Sequence, residues 1–547
     1  MIKLTKLPIL FFAFLLSLQF GYAQTNSFET LKSLEIMDQI YEHLDLYFVD
    51  ETKNGQLAKT GIDAMLKELD PYTVYYHESN IEDYRLMTTG QYGGIGALIR
   101  KMGDFSFIAE PYEGKPAQVA GLKAGDKIVS IDGKSMEKKT TEEVSDALKG
   151  PKGTSFELVV ERNGEGNKSF KMTRDEIKLP DVPYFGMLQN KVGYVKLNSF
   201  TQTASADVKS AIEKLQAQGM QELVLDLRGN GGGLLIEAVK IVNFFVAKNQ
   251  VVVTTKGRVA EENRTYKTLE EPFAPNMPLV VLIDGGSASA SEILAGSLQD
   301  LDRAVVIGET SFGKGLVQRT YDLKYGSKIK ITIAKYYTPS GRCVQRLEYY
   351  DKDNGEKAKE VADSLLKTFY TQNGRPVIDG RGIEPDIEVA FEDLSRLAAM
   401  LLVKNHIFNY ATKYAAVNPT IAAAGTFKLS PEEYAQFKAY VMAQADFDYT
   451  TASEEALRKM KETAEKEGYF EDISAQYNQM LEKVTPSKER DLDKFQQEIS
   501  EVLEDEIVSR YYYQEGRAKQ QLQADPVVRK GLEILQAPAQ YNTILKN

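Results

Sequence analysis

The residues best suited to chemistry are serines, a lysine and a glutamine in glycine-rich segments that follow predicted strands. The first such segment, residues 226–233, ends a predicted buried strand and precedes a helix. Its glycines let backbone N–H groups approach a ligand beside a helix N-terminus. A plain tight turn or a phosphate site fits this segment too, but no Lys-Ser/Thr pair follows, so a P-loop is not supported.

The second segment, residues 285–292, contains Ser287, Ser289 and Ser291 at another predicted strand-to-helix turn. A serine at such a turn exposes its hydroxyl, and the next backbone N–H can stabilise an oxyanion. Ser289 and Glu292 also form the sequence pattern of a capping box, in which the hydroxyl only satisfies a helix N–H. Taken alone, this segment favours the cap, and residue types do not choose among the three serines.

The third segment, residues 308–318, places Lys314 between Gly313 and Gly315. A single lysine is normally a solvated surface group. A serine nucleophile needs a base, however, and the sequence has no histidine near any of the candidate serines. An unperturbed lysine has a pKa of about 10.4, which burial can lower by several units. Gln318 could then orient the amine by a hydrogen bond.

Composition narrows the class of protein. The chain has 547 residues, of which 43% are hydrophobic and 27% are charged, so it is a globular protein of several domains. Its net charge of −11 argues against nucleic-acid binding. The lone cysteine, Cys343, excludes an intrachain disulfide and a cysteine-cluster zinc site. No motif implies a metal or another cofactor.

Residues 1–23 have the pattern of a secretory signal. Lys3 and Lys6 precede the apolar run 8–16, and a small-x-small cleavage pattern stands at 21–23. We therefore expect an exported protein, most simply a periplasmic one. A leader retained as a membrane anchor is the alternative, and Gln24 gives no indication of lipid attachment.

Apolar periodicity divides the remaining chain into four regions, which together predict a multidomain α/β protein. These are a helical N-terminal region (24–87), a small β-rich domain (88–174), an α/β core (175–394) and a helical C-terminal region (395–547). The apolar stripe of the first region packs either on its own chain or on another protomer. The last region is a lid, an assembly surface or, as composition alone favours, a solvated helical appendage.

Taken together, these segments resemble the carboxy-terminal processing peptidases, also called tail-specific proteases. The family pattern is present at 286–292, 308–309, 312–315 and 317–318, and the gap of 25 positions from Ser289 to Lys314 is the family's spacing. That spacing selects Ser289 among the three serines. Further matches are 70–72, 226–228 and 337–342, so the resemblance spans about residues 30–390.

The resemblance implies roles for the matched residues. Ser289 would be the nucleophile, Lys314 the general base and Gln318 the residue that orients the base. The N–H of Ala290 and one N–H from 231–233, for which we choose Gly232, would form the oxyanion hole. The core would have a crotonase- or ClpP-like fold.

The resemblance also implies that region 88–174 is a PDZ-like domain. A substrate's terminal carboxylate would bind at Gly93, Gly94, Ile95 and Gly96, with the peptide added as a strand. Cys343 departs from the family pattern, which usually has serine there; it would be a buried small residue or, alternatively, a redox-active one.

The expected function is an exported serine endopeptidase that recognises C-terminal tails and forms an acyl-enzyme. The alternatives are a non-catalytic PDZ-type peptide-binding scaffold and a crotonase-like acyl-transfer enzyme. Expected partners are proteins or peptides with free C-termini. Homo-oligomerisation through the terminal helices and an adaptor protein are further expectations.

Overall fold

The computed structural model describes residues 28–78, 81–349, 358–390, 394–485 and 487–546. The predicted signal at 1–23 lies outside these residues. Contacts divide the chain into two units, Met1–His77 with Thr320–Ile331, and Glu78–Arg319 with Thr332–Asn547.

The first unit contains two helices and a short strand, which are α1 (28–47), α2 (Asn54–Lys67) and β1 (Val74–Tyr76). Helix α2 ends before Asp70. The Asp70 carboxylate accepts the N–H groups of Tyr72 and Thr73 and so fixes the turn into β1. Strand β1 pairs antiparallel with residues 328–330.

The second unit begins with a small β-rich domain. Its elements are α3 (Ile81–Thr89), β2 (Gln91–Gly94), β3 (Ala97–Met102), β4 (Phe105–Pro111), α4 (Pro116–Val119), β5 (Lys127–Ile131), β6 (Lys134–Ser135), α5 (Thr141–Leu148), β7 (Ser155–Arg162), β8 (Gly166–Thr173) and β9 (Asp175–Lys178). The antiparallel sheet runs β3-β4-β5-β7-β8, while β2 pairs with β9. Helix α5 starts at Thr140 with a complete capping box to Glu143.

The α/β core follows. Its elements are β10 (Tyr184–Met187), β11 (Val192–Lys196), α6 (Ala204–Ala217), β12 (Glu222–Asp226), α7 (Leu235–Asn243), β13 (Val251–Gly257), β14 (Arg264–Lys267), β15 (Leu279–Ile283), α8 (Ala290–Asp300), β16 (Val305–Gly308), β17 (Leu316–Asp322), β18 (Lys328–Tyr337), β19 (Leu347–Glu348), β20 (Lys359–Glu360), β21 (Thr368–Tyr370), β22 (Pro376–Ile378) and β23 (Ile387–Glu388).

The central sheet of this core runs β10-β11-β12-β15-β16-β23 and is parallel except for β10. Helices α6, α7 and α8 cover one face, and α8 is buried along its whole length. Because the carboxyl ends of parallel strands lie at one edge, the three glycine-rich segments after β12, β15 and β16 converge there.

The C-terminal region is helical, as predicted. Its helices are α9 (Arg396–Val403), α10 (His406–Val417), α11 (Pro431–Met442), α12 (Ala452–Glu467), α13 (Phe470–Val484), α14 (Lys488–Lys494), α15 (Gln496–Gln521), α16 (Pro526–Leu535) and α17 (Pro538–Lys546). Residues of α9, α10, α11, α14 and α15 share one apolar core.

The prediction of a solvated appendage is wrong for α16 and α17. Val527, Val528 and Leu532 of α16 are buried against Val224 and Val280 of the central sheet. These helices supply the second layer of the α/β core, because both faces of a parallel sheet must be covered. The apolar face that the sheet needs is thus provided from far along the chain.

None of the helices in the described ranges combines the length and apolarity that a bilayer crossing requires. Nor do described histidine, cysteine and carboxylate side chains cluster in threes that could hold a metal ion.

Candidate active site

Ser289 lies at the junction between β15 and α8. Its φ of 57° and ψ of −110° are unusual for a residue with a Cβ, and such strain is common at functional sites. Ser289 is half-buried, whereas Ser287 and Ser291 are fully buried. The hydroxyl of Ser287 donates to the Leu227 carbonyl at 2.9 Å, and that of Ser291 to the Asn230 carbonyl at 2.8 Å. Geometry therefore favours Ser289 as the reactive serine.

The carboxylate of Glu292 joins the serine segment to the lysine segment. Its Oε2 accepts the backbone N–H of Ser289 at 2.8 Å and that of Lys314 at 2.9 Å. Its Oε1 accepts the Ser311 hydroxyl at 2.6 Å and the Gly313 N–H at 2.7 Å. The predicted capping contact from Glu292 to Ser289 thus forms, and the same side chain also fixes the lysine loop.

Glu292 is completely buried inside this ring of donors. Burial raises the pKa of its carboxyl group, and the hydrogen bonds from Ser311, Lys314, Ser289 and Gly313 act in the opposite direction. Four donors directed at two oxygens make the carboxylate a fixed acceptor. Sequence reasoning identified Glu292 only as a capping residue and missed this bridging role.

Lys314 is half-buried and its flanking glycines are required by close packing. A Cβ built on Gly313 would lie 2.6 Å from Cβ of Arg346, and one on Gly315 would lie 2.8 Å from the Gln345 N atom. Side chains at these two positions would therefore clash with the segment 345–346. The Phe312 N–H also donates to the Ser287 carbonyl at 3.0 Å, which adds a second link between the two segments.

Gln318 lies on β17, four positions after Lys314. Its Nε2 donates to the hydroxyl of Thr332 on β18 at 3.1 Å. This contact holds the side-chain amide of Gln318 against β18. Sequence reasoning did not identify Thr332, because only the pairing of β17 with β18 brings it near Gln318.

The glycine run after β12 lies against the start of α8. A Cβ built on Gly232, where φ is +99°, would be 2.9 Å from the Ala290 N atom and 2.7 Å from the Ala288 carbonyl oxygen. The structure therefore brings the two predicted oxyanion-hole residues together. The N–H of Gly232 itself donates to Oδ1 of Asn230 at 2.9 Å, so in this conformation it points to Asn230.

Asn230 is a buried residue that holds this arrangement. Its backbone carbonyl accepts the Ala288 N–H at 3.0 Å, and its Nδ2 donates to the Leu197 carbonyl at 2.8 Å. Together with the contact to Gly232, these bonds fix the glycine run relative to the serine segment. Apart from the position of an amide inside a glycine run, no sequence pattern indicated this role.

A buried ionic network supports the same edge of the sheet. Asp226 is fully buried and accepts the hydroxyl of Tyr194, the ammonium of Lys196 and the guanidinium of Arg228. Burial alone would raise the pKa of Asp226, but the charges of Lys196 and Arg228 outweigh it and hold the pKa well below its usual range. Arg228 also binds Asp525, which precedes α16.

Cys343 is half-buried beside the lysine segment. Its Sγ lies 3.1 Å from the position of a Cβ built on Gly315. Burial raises the pKa of the Cys343 thiol, and this disfavours the reactive thiolate. The minor prediction of a redox role gains no support here.

The predicted carboxylate-binding loop is buried at the start of the small β-rich domain. Gly93 and Gly94 belong to β2, and the N–H of Gly93 donates to the carboxylate of Glu82 at 2.9 Å. The carbonyls of Ile95 and Gly96 accept the N–H groups of Ala117 and Tyr112. The neighbouring strand β3 pairs with β4 and forms one edge of the sheet among the described strands.

A cavity of about 480 Å³ lies next to the glycine run. Residues of α3, together with Gln202 and Leu234, form its walls. Leu234 directly follows Gly233, so the cavity adjoins the segment that contacts Ala290.

Comparison with known proteins addresses the chemistry of this arrangement. Residues 191–349 match the family described as "Peptidase family S41". Residues 107–162 match "PDZ domain", and residues 397–535 match "Probable PDZ-protease, C-terminal helical domain".

Similarity to a curated relative gives the decisive observation. The chain is 36% identical over 325 residues to a carboxy-terminal-processing protease of Bartonella bacilliformis, which covers 58% of this chain and 74% of the relative. The chain belongs to the carboxy-terminal-processing proteases of peptidase family S41. This family protein therefore consists of a PDZ domain, a serine peptidase core and a C-terminal helical domain.

Other relatives of the S41 protein share parts of its length. It is 36% identical over 315 residues to a probable CtpA-like serine protease of Staphylococcus aureus, which covers 57% of this chain and 62% of the relative. Among solved structures, it is similar to a photosystem II D1 C-terminal processing protease, with 28% identity, a TM-score of 0.35, and coverage of 64% of this chain and 92% of that chain.

Proposed function

We propose that this protein is an exported endopeptidase that binds C-terminal tails of proteins and cleaves them with a Ser289–Lys314 dyad. The observation that carries the proposal is the shared acceptor Glu292, whose Oε2 fixes the backbones of Ser289 and Lys314 next to each other. Placing nucleophile and base in one rigid frame is what acyl transfer by a dyad requires.

In the acylation step, the neutral Lys314 amine accepts the proton of the Ser289 hydroxyl as Oγ attacks the peptide carbonyl carbon. The carbonyl oxygen becomes an oxyanion that the Ala290 N–H and a glycine N–H from 231–233 stabilise. Collapse of this intermediate breaks the C–N bond. The Lys314 ammonium returns its proton to the leaving amine, and an ester on Ser289 remains.

In the deacylation step, water attacks the ester and gives a proton to Lys314. The second tetrahedral intermediate uses the same oxyanion donors, and its collapse restores the Ser289 hydroxyl with the proton held by Lys314. Because Gln318 Nε2 donates to Thr332, its Oε1 is the end that can accept a hydrogen from the Lys314 amine. This contact would keep the amine directed at Ser289.

Mutagenesis of the dyad tests the proposal. Ser289→Ala and Lys314→Ala should each abolish cleavage of a protein that carries an unstructured tail, while circular dichroism stays unchanged. Lys335→Ala removes an exposed lysine of β18 and serves as the control with full activity. Normal turnover by Lys314→Ala would refute the dyad, and serine-probe labelling that survives Ser289→Ala would refute the site.

The PDZ domain supports recognition of tails. Its sheet edge at β3 offers unpaired backbone groups to a peptide, and the loop 93–96 lies just before that strand. Ser289→Ala protein should bind a peptide with a free C-terminus and should not bind the same peptide with an amidated C-terminus. Equal binding of both peptides would contradict carboxylate recognition.

Export and self-association belong to the same proposal. The signal pattern at residues 1–23 supports secretion. Fractionation of cells that produce the protein with or without these residues tests whether the protein is exported. Leu31, Leu34, Met37 and Ile40 of α1 are exposed, which supports packing of α1 on a second copy of the chain. Leu34→Glu with Met37→Glu should then reduce the sedimentation coefficient, and an unchanged value would contradict self-association through α1.

A further inference from the structure

Helix α15 of the C-terminal domain leaves helical geometry at Tyr513. The backbone there has φ of 51° and ψ of −153°, which is unfavourable for a residue with a Cβ. The Tyr513 hydroxyl accepts a hydrogen bond from Gln118 at 3.0 Å, and Gln514 donates to the Glu110 carboxylate at 2.6 Å. Gln118 and Glu110 belong to the PDZ domain. The break therefore directs two consecutive side chains of α15 to the PDZ domain.

The buried carboxylate of Glu110 joins a cluster of half-buried charges on α15. Arg510 binds Glu506 at 2.8 Å, and Arg517 binds Asp505 at 3.1 Å and Glu506 at 3.0 Å. Three carboxylates thus face two guanidinium groups. With all five groups ionised, the cluster carries one uncompensated negative charge, which is costly where water has restricted access.

Two oxygens in this cluster lack a donor. Oε1 of Glu110 and Oδ1 of Asp505 are buried, and neither has a hydrogen-bond partner among the described residues. Burial raises the pKa of Asp505 to about 6, against the lowering effect of Arg517. Burial also raises the pKa of Glu110, again against Arg517. One proton on this pair would neutralise the excess charge.

The remaining groups around the cluster do not supply this charge. Tyr112 lies beside Glu110 as a neutral phenol, and burial raises its pKa. Helix α10 contributes Phe408, whose ring lies 4.6 Å from the Arg510 guanidinium, and the uncharged Thr412. Arg100 of β3 lies half-buried, 5.0 Å from the same ring. The charges that act on Glu110 come from Arg517, Arg510 and Glu506.

We propose that docking of the PDZ domain onto α15 takes up one proton, so that the domain is held at mildly acidic pH and released as the pH rises. A carboxyl group that is more basic when docked favours the docked form at low pH, and this contribution is lost as the pH rises through the docked pKa. Glu110 pairs across the sheet with Leu98 of β3. Docking therefore involves a residue that is paired with β3, the strand to which a tail would add.

Energy transfer between two dyes on the full chain tests this proposal. The protein carries Ser289→Ala and Cys343→Ser, and the dyes are attached at Lys134→Cys in the PDZ domain and Lys466→Cys in α12, both exposed positions. The docking equilibrium constant should fall by about tenfold from pH 5 to pH 7 if one proton is taken up. The variants Glu110→Gln and Asp505→Asn should each remain docked over this range. Each replaces one carboxylate by a neutral amide, so the cluster has no excess negative charge at any of these pH values.

Controls separate proton uptake from general destabilisation. Glu137→Gln changes an exposed PDZ carboxylate and should keep the wild-type pH profile. Gln514→Ala removes the neutral contact to Glu110 and should lower docking at every pH. Transfer that does not change with pH, or an unchanged pH dependence in both Glu110→Gln and Asp505→Asn, would overturn the proposal. If one of these variants does not fold, the other decides, and neither readout depends on peptidase activity.

Discussion

The backbone N–H groups of Ser289 and Lys314 donate to one and the same oxygen atom, Oε2 of Glu292, at 2.8 and 2.9 Å. The two residues come from different loops, which follow neighbouring strands of the central sheet. A single acceptor therefore sets the spacing of the proposed nucleophile and base, and the strained backbone of Ser289 is held by a contact that also holds Lys314.

Replacing Glu292 by Gln should lower kcat by about 100-fold with little change in KM. The amide retains the shape of the side chain but presents an NH₂ group to backbone donors. The two loops then lose the acceptor that they share, and the side chains of Ser289 and Lys314 shift relative to each other. Single-turnover kinetics with a tailed protein substrate measures the effect.

Glu237→Gln is the matched control for this change. Glu237 is also buried and accepts a backbone N–H, that of Ser205, at 3.0 Å, but it lies on α7. It should cost stability while leaving kcat per folded molecule unchanged. Equal losses of kcat in both variants would show that Glu292 only stabilises the fold.

Gly232→Ala should reduce kcat by about 100-fold, because the new Cβ would meet the Ala288 carbonyl and the Ala290 N–H within 2.9 Å. Its φ of +99° adds backbone strain. Gly231→Ala is the control, since a Cβ there meets nothing within 4 Å. Steady-state kinetics of both proteins should separate the two positions, and similar activities would argue against close contact at Gly232.

Thr332→Val should reduce kcat by about fivefold, the effect of one net hydrogen bond that positions Gln318. The change keeps the shape of the side chain but removes the hydroxyl that accepts from Gln318. The pH–rate profile should shift as well, because Gln318 acts on the proposed base. Thr265→Val, at an exposed position on β14, should alter neither value.

Asp226 should make the fold sensitive to acid. Its pKa is lower in the folded protein than in the unfolded chain, so its stabilising contribution is complete above the unfolded pKa of about 3.9 and is lost as the pH falls through the lower folded value. The urea midpoint, followed by circular dichroism, should fall below about pH 4. Asp226→Asn should weaken this dependence, whereas the exposed Asp104→Asn should preserve it.

The sequence predicted the order of domains and the approximate elements because periodicity is a local signal. The strand-to-helix turn predicted at residues 285–292 forms, with Ser289 directly before α8. From the sequence, Ser289 could be chosen among the three serines only by the family's spacing to Lys314. The structure supports the same choice independently, since the hydroxyls of Ser287 and Ser291 are bonded to backbone carbonyls.

Contacts between distant segments were beyond sequence reasoning. The sequence indicates Glu292 only as a helix-capping residue. Its hydrogen bond from the Lys314 N–H is visible only where the folded chain brings the two loops together. Thr332 meets Gln318 through strand pairing, and Asp525 meets Arg228 across nearly 300 positions. Nothing in the sequence indicates that Asp505 and Glu506 become partly buried beside the PDZ domain.

The covering of the central sheet by α16 and α17 has a consequence for biosynthesis. A ribosome completes strands β11 to β16 long before it adds these helices. The apolar face of the sheet therefore stays uncovered while the intervening residues are translated. The ion pair between Arg228 and Asp525 likewise forms only after Asp525 has been synthesised. The nascent chain therefore exposes an apolar sheet face, and with it a risk of aggregation, until α16 and α17 are synthesised.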